Sequence, residues 1–169
     1  MNLFAIYIGG KTHNSLIEVH DFRVYARKTL EECFPSIRSD WWGTQGSLHI
    51  DCYGILNHVD GYDVSIEENP FQGEEKLYFV NLGGYCADDF SELHKNLFVV
   101  ANSESKAKVK ALQQIRTWQA HHVDSLAEVE AISCLNDLIE SDKKYIHLSP
   151  SSSAGNFSFI CKYLPLPKA

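Results

Sequence analysis

Residues 8 to 20, IGGKTHNSLIEVH, align without a gap on residues 82 to 94, LGGYCADDFSELH, so one short pattern occurs twice in the chain. Self-similarity at this spacing is the signature of a repeated structural unit. Gly9, Gly10, Glu18 and His20 recur as Gly83, Gly84, Glu92 and His94, and the apolar positions Leu16 and Val19 recur as Phe90 and Leu93. The agreement extends in both directions. Upstream, residues 3 to 7 match residues 77 to 81 in strand character. Downstream, residues 22 to 26 match 97 to 101, Ile37-Arg38 match Ile115-Arg116, and the run from Leu48 to Asp51 meets the run from His121 to Asp124. Four blocks in one order predict a tandem duplication, although most of the positions between them differ.

Each copy reads as strand, strand, helix, strand, strand, which predicts an α+β fold with antiparallel sheets and helices on one sheet face. The first strand is expected over residues 3 to 9, ended by Gly9-Gly10 as a turn of positive φ, and the second over 19 to 26. A helix is expected over residues 103 to 116, with Ala107, Ala111, Leu112 and Ile115 at helical spacing and Asn102 or Ser103 as N-cap. Its partner, residues 28 to 37, contains Pro35, which is expected to end it early. Strands at 48 to 53 and 61 to 66 close the first copy. A short helix at 128 to 140, then strands at 144 to 148 and 157 to 163, close the second. Turn and charge signals set the divisions at 1–68 for the first module, 69–76 for a linker, 77–163 for the second module and 164–169 for an extended tail.

Composition narrows the function. The net charge is −7, and residues 1 to 75 hold five Lys or Arg against twelve Asp or Glu, while the remainder holds ten of each. A phosphate-backbone binder needs a clustered basic excess, so nucleic acid is not an expected partner. No apolar run approaches the roughly 20 residues of a membrane span, and none is expected. Five cysteines without a C-x-x-C pair, and no leader before the first strand, predict reduced thiols and a cytoplasmic protein.

The residues able to carry chemistry lie in the repeated blocks. Strand alternation puts Glu18 and His20 on one face, and likewise His49 with Asp51, Glu92 with His94, and His122 with Asp124. If neighbouring strands agree in face, each copy owns two imidazoles and two carboxylates, able to bind a divalent metal or to supply a carboxylate-oriented base. Against this stands a local reading, in which the same side chains cap strand ends or bond to loops. Gly9-Gly10 and Gly83-Gly84 are candidates for a backbone anion nest, with a plain turn as the simpler account. Cys86 has Thr12 as its counterpart, so no repeated Cys-His pair exists, and Trp41, Trp42 and Trp118 are expected to pack.

The Gly-Gly after a first strand, Glu-x-His before a second, a short helix and then His-[Ile/Val]-Asp together resemble the bacterial family of domain of unknown function 1543. The resemblance covers about residues 3 to 67 and again 77 to 148, and it implies two modules in tandem without implying an activity. Two functions compete. A non-catalytic binding or assembly module, working as a homodimer or with a protein partner, is favoured by duplicated surfaces. The alternative is a metal-dependent or general-base enzyme using the duplicated clusters. No cofactor beyond such a divalent metal is implied, and mutual contact among Glu18, His20, His49 and Asp51 discriminates between the two.

Overall fold

The computed structural model describes residues 1–85, 88–114, 128–140, 143–152 and 155–167. Two antiparallel sheets form the frame. In the first, β1 (Asn2–Gly10) lies between β2 (Val19–Arg27) and β3 (His49–Ile55). In the second, β6 (Lys76–Tyr85) lies between β7 (Glu92–Ala101) and β8 (Glu128–Cys134). The two sheets agree in register as well as in order. Gly9 faces His20 on one side and His49 on the other, while Gly83 faces His94 and Glu128. Both third strands also bulge at the same place, with Asp51 as the extra residue in β3 and Glu130 in β8.

Alternation along the central strands builds a layered molecule. Phe4, Ile6 and Ile8 point to an outer face, where Ile37 of α1 (Phe34–Asp40), Cys33 and Trp41 are buried against them. Tyr78, Val80 and Leu82 do the same against Ala107 and Ala111 of α2 (Glu104–Gln114). The inner rows, Leu3 and Ala5 from β1 and Leu77 and Phe79 from β6, share one core with Val24, Val100, Leu135 and Ile146. Phe22 stacks on Phe79 across it with ring centroids 4.0 Å apart. The helices α1 and α2 therefore lie outside and the sheets meet inside. That shared core and the two outer ones bury both central strands on two faces, the apolar burial that stabilises the fold.

A third sheet ties the halves together. The hairpin β4 (His58–Val59) and β5 (Tyr62–Glu67) turns at Asp60-Gly61, whose φ values of 55° and 83° are the positive pair that a tight two-residue hairpin requires. β5 then pairs with β9 (Tyr145–Pro150), Ser65 opposite His147. Asp60 accepts the backbone N–H of Val100 at 2.8 Å and pairs with Lys110.

Several expectations are corrected. Gly9-Gly10 and Gly83-Gly84 lie inside β1 and β6, and Gly61 is the single positive-φ glycine among the described residues, so the pairs do not form turns. Pro35 opens α1 at its first turn, where its missing N–H costs nothing, and does not end it. The predicted helix at 128 to 140 divides into β8 and α3 (Leu135–Glu140). The strand β10 (Phe159–Pro165), within residues expected to close the second module and begin the tail, pairs with β3 at the edge of the first sheet. Ser103 caps α2 as expected, its hydroxyl accepting the N–H of Lys106.

Candidate metal centre

The first cluster stands at one end of the inner face of the first sheet. Gly9 is its floor. A Cβ there would lie 2.6 Å from Asp51 Oδ2 and 2.8 Å from His49 Nε2, so glycine is required for space. Over it, donors alternate in a ring. His49 Nε2 lies 3.2 Å from Asp51 Oδ1 and 3.5 Å from Glu18 Oε1, and His20 Nε2 lies 3.4 Å from Asp51 Oδ2 and 3.9 Å from Glu18 Oε2. The bulge aims Asp51 into this ring, a recurrent use of such irregularities.

The protonation of His49 follows from its surroundings. Its Nδ1 lies 2.8 Å from the carbonyl of Ser47, which can only accept, so Nδ1 carries the proton. In the neutral imidazole Nε2 is then a lone pair facing carboxylate oxygens. The side chain is 2% exposed, and neither His49 Nε2 nor Asp51 Oδ2 has a hydrogen-bond partner. Buried polar atoms without partners are costly, and like-signed lone pairs add repulsion. A cation between them removes both penalties. Metal–ligand bonds of about 2.0–2.2 Å put adjacent ligand atoms roughly 3.0–3.5 Å apart, and most of the ring distances fall near that span. The tie from Nδ1–H to a backbone carbonyl is the usual orienting contact of a metal-bound imidazole. Two more rings frame the site: Tyr7 stacks on His20 with centroids 5.3 Å apart, and Tyr163 of β10 lies over His49 at 4.4 Å. Burial, and then the Asp51 charge, raise the Tyr7 hydroxyl above its ordinary pKa.

In the second sheet the strand in the position of β3 is β8, which puts Glu128 and Glu130 at the positions of His49 and Asp51. His122 and Asp124 lie outside the described residues. Glu130 Oε2 is 2.9 Å from His94 Nε2, Glu92 Oε2 is 3.8 Å from it, and one donor from each of the three lies within 4.8 Å of the others. This group is open to solvent. Burial, and then a hydrogen bond with Glu92, raise Glu130 above the usual carboxylate range, so a proton shared by the two carboxylates competes with any cation. Gly83 is the floor here, its Cβ position 2.9 Å from Glu92 Oε1.

The remaining candidates do not converge. His58 pairs with Asp63, His147 meets the carbonyl of Asn69 at 2.7 Å, Trp41 is buried, and Trp42 is exposed. Cys33, Cys52, Cys134 and Cys161 carry free thiols, while Cys86 and Trp118 lie outside the described residues. Burial pushes Cys33 up to about 12, and burial with a hydrogen bond from Cys161 does the same to Cys52. A cavity of about 410 Å³ opens between the inner faces, lined by Tyr7, Phe22, Cys52, Phe79 and Phe98, beside the first cluster. No helix among the described residues is long and apolar enough to cross a membrane.

Residues 15–66, which contain Glu18, His20, His49 and Asp51, match the family model described as Domain of Unknown Function (DUF1543). The fold is similar to the crystal structure of a protein Il1583 from Idiomarina loihiensis, at 30% identity over 99% of both chains with a TM-score of 0.76. No curated protein matches the chain. Through this full-length relative and the matched segment, the chain belongs to the family of that Domain of Unknown Function (DUF1543).

Proposed function

We propose that the chain is a divalent-metal protein, holding one cation between His20, His49, Asp51 and Glu18. The observation that carries this reading is the buried His49 Nε2, without a hydrogen bond of its own and set between two carboxylates while Nδ1 is tied to a backbone carbonyl. Two imidazoles and two carboxylates suit a first-row divalent ion such as zinc, iron(II) or manganese(II). The adjacent cavity offers room for the apolar part of an organic ligand of that ion. We also infer a tandem duplication from the shared register, the shared bulge and the recurring Gly-Gly and Glu-x-His. In this reading the second cluster is a weaker relic of the first.

The test is calorimetric titration of chelator-stripped protein with zinc. One tight site per chain is expected at pH 7.5, with weaker binding in acid, since metal ligands bind only when deprotonated. His49→Gln is expected to abolish tight binding, and Asp51→Asn serves as a second variant should the first fold poorly. Retention of full affinity in both, or no uptake of zinc, iron(II) or manganese(II) by the parent, overturns the proposal. A second reading, the assembly module, draws on the exposed Leu16, Ile17 and Phe90 of corresponding loops. It predicts a concentration-dependent mass in solution and indifference to chelators.

A further inference from the structure

We propose that Cys52 and Cys161 are a reversible oxidation site, closing as a cross-strand disulfide that fastens β10 to β3. The two residues are directly opposed in the antiparallel ladder, and the Cys161 thiol donates to Cys52 Sγ at 2.9 Å. Opposed antiparallel residues have Cα atoms about 4.5–5.5 Å apart, inside the range of about 4.4–6.8 Å that a disulfide spans. Closing the bond therefore needs side-chain rotation and no movement of the strands. Cys161 is exposed, so a reagent can reach it, whereas Cys33 is sealed on the opposite face of the sheet. β10 is also the element that such a bond would affect most. Nearly all its residues are exposed, and its attachment rests on the ladder to β3 and on Leu164 and Leu166 at the edge of the outer core. Tyr163, two residues beyond Cys161, covers His49, so fastening the strand fixes that cover.

The oxidant is a low-molecular-weight disulfide. Cys161 Sγ, as thiolate, attacks one sulfur of it, forming a mixed disulfide and releasing the first small thiol. Cys52 Sγ then attacks Cys161 Sγ, its proton passing to the departing sulfur, and the second small thiol is released. The protons of the two cysteines end on the two released thiols, and the protein is oxidised by two electrons. Reduction by excess small thiol runs the same steps backwards. The inference does not depend on whether a cation occupies the neighbouring cluster.

The experiment treats reduced full-length protein with glutathione disulfide and reads intact mass, peptide linkage and amide hydrogen exchange. The expected product has lost two hydrogen atoms, carries a Cys52–Cys161 linked peptide, and exchanges the β10 amides at least about tenfold more slowly. Cys161→Ser, with unchanged circular dichroism, should show neither the mass loss nor the slowing. Dithiothreitol should restore the starting mass. Glutathione that remains on Cys161 without transfer, a linkage through any other cysteine, or an unaltered mass overturns the proposal.

Discussion

The two halves hold the same strands in the same register, yet their clusters have opposite characters. In the first, His49 is sealed from solvent, with Nε2 set between the carboxylates of Asp51 and Glu18. In the second, Glu130 stands where Asp51 stands and is one methylene longer, so it reaches His94 at 2.9 Å and also bonds Glu92. One cluster is open and joins its two carboxylates by a hydrogen bond, and the other is the buried one to which the proposed cation is assigned. A shared backbone thus fixes where side chains meet, while burial and side-chain length decide what they need.

The largest contrast is expected in metal affinity. Asp51→Asn should weaken zinc binding at least about hundredfold, more than loss of an outer contact typically does, whereas His94→Gln should leave the tight site intact. Equal losses in the two variants, measured by calorimetry, would erase the distinction. Next in size is the pair of floor glycines. Gly9→Ala forces a methyl against the rigid, buried His49 ring and should cost roughly 2–3 kcal/mol in chemical denaturation. Gly83→Ala meets the ends of flexible, exposed carboxylates and should cost less than about 1 kcal/mol. Asp60→Asn weakens a tie that the first half makes to Val100 and Lys110 and should cost about 1 kcal/mol.

The smallest effect is one of pH. A carboxyl whose folded pKa is raised binds its proton more tightly in the native state, so it costs stability as pH rises from its unfolded value through its folded one. Glu130→Gln removes that cost. The variant should therefore gain slightly in Tm relative to the parent between pH 4 and pH 6, and a constant difference across that window would refute the shared proton.

Much of the frame was legible because it rests on local pattern. Gly-Gly and Glu-x-His fall on adjacent strands joined by a short loop, so their alignment survives without gaps. The third strand was less so. His-x-Asp recurs at 122 and 124, but pairing with β6 depends on Val129 and Ile132 facing α2 on the outer side and on a bulge, which keeps the spacing of two polar residues without keeping their identity. Glycine misled for a physical reason: a strand that needs room for a neighbouring ring and a turn that needs positive φ both select it. The place of β10 was hidden altogether, since edge pairing across so many residues leaves no periodic trace. The orphaned nitrogen of His49 was equally invisible, because burial and tautomer come only from packing.

β10 also orders events in time. Its contact with β3 joins residues 109 positions apart, Cys52 with Cys161. During synthesis the chain emerges from its N-terminus, so β1, β2 and β3 can pair long before β10 exists. Until then β3 presents an unpaired edge beside an acidic, half-covered cluster, the kind of edge that recruits other strands. The contact is late and of high contact order, which slows completion of the sheet. A ribosome-bound or truncated chain ending before residue 159 would therefore combine a formed first sheet with an adhesive border, and chaperone capture should be strongest in that interval.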